Sequence, residues 1–284
     1  MTWRRWLHIA LLLLPGIGLI VFFIGAVIYI AIAQSFGLFN LSGDSGFSLQ
    51  FWESVSARKA YGRSVFYSLY VGLISALLSV ALAYPLALWL RKPFPGSLAI
   101  SAILKAPLLV HGLVAALLLV NIIAYHGLVN QIMQGLGLWN APRRLQNDDI
   151  GISVLILQVW KNMPFALLLL TGAVQSISDD VLDAGRDLGA GALTRFRRII
   201  APLSVSAMQA ALVIVFIGAL ADFSFQTIIG PTNKQSLAQY MTFFSSRGRW
   251  NEAAVVGVTL MILSLAGAAG LSLLAQKTFG ARRT

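Results

Sequence analysis

Six stretches of this chain stay apolar for 18 to 28 residues at a time: Leu7–Ala33, Ser64–Leu90, Ser97–Ala124, Ile150–Val174, Ser204–Ala221 and Ala253–Gln276. An α-helix crosses the hydrocarbon core of a bilayer with about 20 such residues. Backbone polar groups in lipid must be satisfied within their own segment, which leaves helices or closed barrels. Runs of this length predict helices. The expected fold is therefore an all-α integral membrane protein of six transmembrane helices, forming a single domain over residues 1–284.

Charge supports this reading. Only 11% of the residues are charged, against about a quarter in soluble domains. The net charge of +11 would suggest nucleic acid in a soluble protein. Here the basic residues punctuate apolar runs, so the partner they imply is the bilayer and not nucleic acid. The chain has no cysteine, hence no disulfide and no thiolate metal site. Its three histidines, His8, His111 and His126, show no ligand spacing. No metal or cofactor is expected. The N-terminal "MTWRRW" precedes 27 apolar residues, well beyond the roughly 7–15 of a secretory signal, so it reads as a retained first span.

With six spans both termini share a side. That side carries Arg4, Arg5, Arg91, Lys92, Arg186, Arg195, Arg197, Arg198, Lys277, Arg282 and Arg283, eleven basic residues against eight on the other. The positive-inside rule puts the eleven, and both termini, in the cytoplasm. The loops Gln34–Arg63, Tyr125–Asp149 and Asp222–Glu252 then face outward.

Between the fourth and fifth stretches lies "DAGRDLGAGALTRFRRIIAPL", Asp183 to Leu203, holding two acids, four arginines, three glycines and a proline. Ser176–Gly189 reads as a short helix: Ser176 or Ser178 can cap it, Asp179 and Asp180 suit its positive end, and Arg186 can pair with Asp183. Gly189–Gly191 end it, glycine permitting the left-handed turn after a helix and a close backbone approach. A second helix follows, "ALTRFRRII", with Leu193, Phe196 and Ile200 on one stripe, and Pro202 sits where a new helix can start. By charge alone this is an amphipathic connector on the inner leaflet, its arginines meeting anionic headgroups.

The spacing is more specific than the charge. Asp183, Ala184, Gly189, Ala190, Phe196, Ile199 and Pro202 resemble the EAA loop of ABC importer permeases, with Asp in place of Glu and Gly185 in place of the second Ala. "RDLGA", "ADFSFQTIIGPTNKQSLAQYM" (Ala221 to Met241) and "GRWNEAA" (Gly248 to Ala254) are similar to the spermidine/putrescine branch. The resemblance implies a type I permease fold in a bacterial inner membrane, with residues 176–203 as a coupling helix docked on a separate ATPase. Asp183, Ala184, Arg186, Gly189, Ala190, Phe196 and Pro202 would carry that contact, Gly189 and Ala190 through close approach. It further implies an ABC ATPase dimer, a second and different permease subunit, and an extracytoplasmic binding protein that delivers a small solute. No G-x-x-x-x-G-K-[ST] occurs and no lysine follows a glycine, so ATP would be hydrolysed by the partner and not by an enzyme site here.

Polar groups at membrane depth are candidates for the translocation path. Lys161 and Asn162 lie mid-way along the fourth stretch before Pro164, which should break the helix beside a watery wall; a lysine bonded to a neighbouring carbonyl is the plainer alternative. Lys105 precedes Pro107 in the third stretch and could snorkel to the surface. His111 and Asn121 follow, either lining the path or bonding a neighbouring helix. Asp222 ends the fifth stretch with Gln226 one turn on, bordering the path or simply facing water. Gly267–Gly270 suits close helix packing. An ion-driven secondary transporter should show inverted repeats or intramembrane carboxylates, and a membrane enzyme a cluster of reactive groups; neither is evident. Polyamines are the cargo that the branch implies. Two lysines against one acid would favour an anion, and ferric iron or aminophosphonates are carried by related permeases.

Overall fold

The computed structural model describes residues 3–41 and 43–280, without the side chains of residues 4–10. The side chains of Arg4, Arg5 and His8, and Arg282 and Arg283 altogether, lie outside the described residues. The described residues form helices and no strand. In chain order these are α1 (Trp3–Ser35), α2 (Gln50–Ser56), α3 (Lys59–Trp89), and α4 (Ser97–Lys105), which runs into a 3-10 turn, Ala106–Leu109. Next come α5 (Gly112–Ile123), α6 (Leu128–Gly135), α7 (Ile152–Gln175) and α8 (Asp179–Asp187). Then α9 (Ala192–Arg195) leads through a π turn, Phe196–Ile200, into α10 (Ala201–Leu203). The last are α11 (Val205–Leu220), α12 (Ser224–Ile229), α13 (Leu237–Ser245) and α14 (Trp250–Phe279).

Among the described residues, five runs are long and apolar enough to cross a membrane: Leu11–Ser35, Lys59–Trp89, Gly112–Gly135, Ile152–Gln175 and Trp250–Phe279. A sixth arises when Ala192–Leu203 and Val205–Leu220, bent by 72° from one another, count as one span.

Two expectations need correction. The third stretch is not one helix, because the 3-10 turn ends at Leu109 and both Val110 and His111 are extended before α5 begins. Pro107 supplies no N–H to the preceding turn, and the short 3-10 segment does not continue as a helix. The fourth stretch, expected to break at Pro164, runs without interruption from Ile152 to Gln175. Its start is fixed by Asp148, whose carboxylate accepts from the backbone N–H of Ile152 at 2.6 Å and of Ser153 at 3.0 Å.

By packing, the residues group into two compact units, Met1–Tyr61 with Tyr240–Thr259, and Gly62–Gln239 with Leu260–Thr284. In the first, the guanidinium groups of Arg58 and Arg249 lie 5.4 and 5.0 Å from the Phe244 ring centre. Arg249 also pairs with Glu252 at 2.5 Å, and Asn251 donates to the Gln34 carbonyl at 2.8 Å. Most α1 side chains from Leu11 to Ile30 are exposed within the chain.

The second unit packs α3, α5, α7 and α12 around Tyr67, Val71, Ala116, Val154, Leu157 and Ile229. Between lipid-facing helices the hydrophobic drive is weak, so small residues and close packing hold them together. Phe216 of α11 illustrates this: its ring nests on Gly72 of α3 and Gly267 of α14. A Cβ at Gly72 would meet the ring at 3.1 Å, and one at Gly267 would overlap it.

Candidate functional site

The loop between α7 and α11 is a helical hairpin. Ser178, in extended conformation, precedes α8, and Asp179 and Asp180 occupy its first turn. Asp183 and Arg186 pair at 3.2 Å on the exposed face. Gly189 has φ +78°, the left-handed conformation in which glycine is favoured. Its N–H bonds the Arg186 carbonyl at 2.8 Å, and the Ala190 N–H bonds that of Gly185 at 3.0 Å. Those two bonds satisfy carbonyls that the helix end would leave open.

Within the hairpin itself, the tight packing is at Gly185. A Cβ on Gly189 would meet nothing within 4 Å, whereas one on Gly185 would lie 2.8 Å from Ile199 Cδ1. Gly185 is buried where α8 crosses the returning segment, and Ala184 is exposed. Phe196 stands edge-on to Tyr84 of α3, ring centres 5.1 Å apart. The Tyr84 hydroxyl also bonds Ser204, whose Oγ reaches back to the Ile200 carbonyl at 2.6 Å. Pro202 lies within α10, two residues before Ser204, where the 72° bend separates the two helical runs. At the far end of the hairpin, Leu188 and Leu193 are 88% and 63% exposed.

A second anchor lies at the hairpin's base. Arg91, just past α3, donates to the carbonyls of Val174 at 3.3 Å and Ile177 at 2.7 Å, and to Asp179 at 2.6 Å. Lys92 reaches the same carboxylate at 3.2 Å. The hydrogen bonds from Arg91 and then Lys92 hold the Asp179 carboxyl below its ordinary pKa range. Charge counting placed Arg91 on this side of the membrane, but nothing local in the sequence pairs it with Asp179, 88 residues away.

The predicted path residues fall into separate settings. Lys161, from α7, does not point into open space. Its ammonium donates to the carbonyls of Pro107 at 2.8 Å, of Leu108 at 3.4 Å and of Val110. Asn162 bonds the carbonyl and side chain of Gln158 in its own helix at 2.8 and 2.9 Å. Asn121 likewise bonds the Leu117 carbonyl, at 2.9 Å, and is exposed, as is His111 at the start of α5. Lys105 is half-buried at the end of α4. Asp222 caps α12, accepting from the N–H groups of Phe225 at 3.1 Å and Gln226 at 3.3 Å. The buried Gln226 side chain accepts from Tyr67 of α3 at 2.9 Å. Between α5 and α7 an apolar groove of about 320 Å³ is lined by Leu118, Ile122, Ile156 and Trp160. Trp160 is 41% exposed, an aromatic surface that a search for polar groups at depth passes over.

Helices of membrane length, one pair of them bent by 72°, with a helical hairpin held between α7 and α11, define a multi-pass membrane protein. The chain belongs to the family of binding-protein-dependent transport system inner membrane components, whose profile matches residues 79–280. It is 26% identical over 206 residues to the spermidine/putrescine transport system permease protein PotB of Haemophilus influenzae, covering 72% of this chain and 71% of that one. It is 30% identical over 202 residues to the thiamine transport system permease protein ThiP of Brucella abortus, covering 70% of this chain but only 36% of that longer protein. Among solved structures it superposes on a bacterial ABC transporter involved in the import of the acidic polysaccharide alginate, with a TM-score of 0.78, 18% identity and 96% of each chain covered. The inward-facing MetNI methionine ABC transporter matches with a TM-score of 0.56 and 14% identity over 76% of this chain and 96% of that one. The fold is that of type I ABC importer permeases. The chain is an ABC importer permease subunit of the inner membrane and not itself an enzyme.

Proposed function

We propose that the chain forms half of the translocation pathway of an ATP-driven importer and that residues 176–203 are its coupling element on an ABC ATPase dimer. The observation that carries this reading is the hairpin itself. It is braced at its base by Arg91 and Tyr84, while Leu188 and Leu193 stand exposed at its tip. Bracing lets a push at the tip reach α3 and α11, and an apolar tip needs a groove to cover it. The charged flank of Asp183 and Arg186 supplies the polar rim of that contact. ATP is used by the ATPase, and this chain needs no cofactor of its own. The test is Leu188→Arg, which leaves the fold unstrained because the side chain is exposed. Purified with its ATPase, this variant should lose the complex and the uptake it drives. An intact complex with normal uptake would sink the assignment.

The other partners are a second, different permease subunit, which completes the pathway, and an extracytoplasmic binding protein. A periplasmic protein carrying an alginate pentasaccharide accompanies one structurally similar transporter, which supports the latter. Both termini lie in the cytoplasm, by the distribution of basic residues.

For the cargo, a polyamine fits the spermidine/putrescine relative best. The sequence argument for an anion weakens, because the Lys161 ammonium is turned onto backbone carbonyls. Thiamine is the second reading, favoured by the 30% identity to ThiP. Uptake of labelled spermidine and of labelled thiamine, measured with the cognate binding protein, separates them. Transport of thiamine alone would replace the polyamine assignment, and uptake of neither would remove both.

A further inference from the structure

The break in the third apolar stretch poses an electrostatic problem that the fold has to solve. Where Ala106–Leu109 ends and α5 has not begun, the Pro107 carbonyl keeps a single 3-10 bond from the Val110 N–H at 3.3 Å, and the carbonyls of Leu108 and Val110 fall outside the α-helical ladder. In apolar surroundings a carbonyl left without a donor costs several kcal/mol. These carbonyls also stand at the negative end of the Ser97–Leu109 run, so their partial charges reinforce one another. Oxygens gathered at the end of a broken helix are the ligand set with which many transporters hold a monovalent cation.

Here an ammonium has that position. Lys161 has three N–H donors, and it directs them to these three carbonyls. We propose that the break between the 3-10 turn and α5 is a monovalent-cation site whose resident cation is the tethered ammonium of Lys161. Lys161 is thus a positioning residue: it fixes the direction in which α5 leaves the break. Just past the break, a Cβ on Gly112 would lie 3.3 Å from Phe225 of α12, so the ammonium also sets the seat of α12 and of its cap, Asp222. Because the cation is covalently attached, the site is filled at every ionic composition, and the intact chain has no call on a dissolved ion here.

This inference stands apart from the coupling assignment and from the cargo, and its test needs neither partner nor substrate. The full chain in lipid nanodiscs is unfolded thermally in potassium, sodium, methylammonium or bulky choline chloride at equal ionic strength, with tryptophan fluorescence as the readout. The native chain should melt at one temperature in all four salts. Lys161→Ala vacates the ammonium's place and leaves the carbonyls. It should melt lower in choline and recover in potassium or methylammonium, on the order of 5 °C and rising with the logarithm of concentration, as linked binding requires. A Lys161→Ala chain as stable as the native one, or one equally weakened in every salt, overturns the proposal. Lys161→Met fills the space without charge and is easier to insert into lipid. It should stay weakened in all four salts. Native stability in Lys161→Met overturns the proposal even if Lys161→Ala does not accumulate.

Discussion

Asp148 does at one residue what α7 needs before it can enter the membrane. Its carboxylate holds the N–H groups of Ile152 and Ser153 and the Ser153 hydroxyl, the last at 2.7 Å. Burial pushes its pKa up, but these hydrogen bonds outweigh burial and hold it below the ordinary value. A depressed carboxylate contributes stability above the unfolded-state pKa of about 3.9 and loses it as pH falls through the lower folded value. Asp148→Ala should therefore cost about 1 kcal/mol at neutral pH. It should also flatten the acid limb of a stability curve followed by thermal unfolding. At Gly185 the atom in the way is the far end of a flexible isoleucine. Gly185→Ala should be tolerated, whereas Gly185→Leu should overpack the hairpin and lose roughly 1–3 kcal/mol; unfolding of the two variants side by side checks this. These sites differ in legibility. Gly189 could be read locally, since a glycine after a helix has one common use. The closeness at Gly185 depends on Ile199 folding back over it, which no local pattern contains.

Among the elements, two prolines with similar surroundings in sequence have opposite outcomes. Pro164 sits inside an unbroken α7, while Pro107 precedes a break. Hydropathy draws both stretches as continuous spans, because a break lined by apolar side chains leaves no mark on an apolar run. What marks it is a lysine 51 residues from Val110 in the chain, legible only once α7 and the third stretch are side by side. The brace at Arg91 is likewise non-local. Arg91→Ala should release the start of α8, raising hydrogen exchange across Asp179–Asp187 about tenfold or more as its bonds to the Val174 and Ile177 carbonyls are lost. The small-residue run of α14 divides more finely than composition suggested. Gly267→Ala meets the buried ring of Phe216, whereas a Cβ on Gly270 meets nothing within 4 Å. Thermal unfolding should find the first variant clearly weakened and the second close to native.

For the molecule as a whole, the apolar runs, the charge count and the spacing of the loop made most of the architecture readable, since bilayer thickness leaves a chain few choices. The division into two units was not readable, because it rests on which distant segments touch. The side on which the hairpin lies also follows from charge alone. The absence of cysteine makes it testable: Leu188→Cys creates a unique thiol. A membrane-impermeant maleimide should label it in inverted vesicles and leave it untouched in intact cells. Labelling of intact cells would reverse the topology.

The 72° bend at Ser204 has a mechanical consequence. The helical run from Ala192 to Leu203 is a stiff arm of 12 residues, about 18 Å long at 1.5 Å per residue. A rotation of about 10° about its pivot would carry the free end through about 3 Å, more than half a helical pitch. A small swing of a docked partner is thereby converted into torque on α11, and the gearing is set by where along the chain the bend falls.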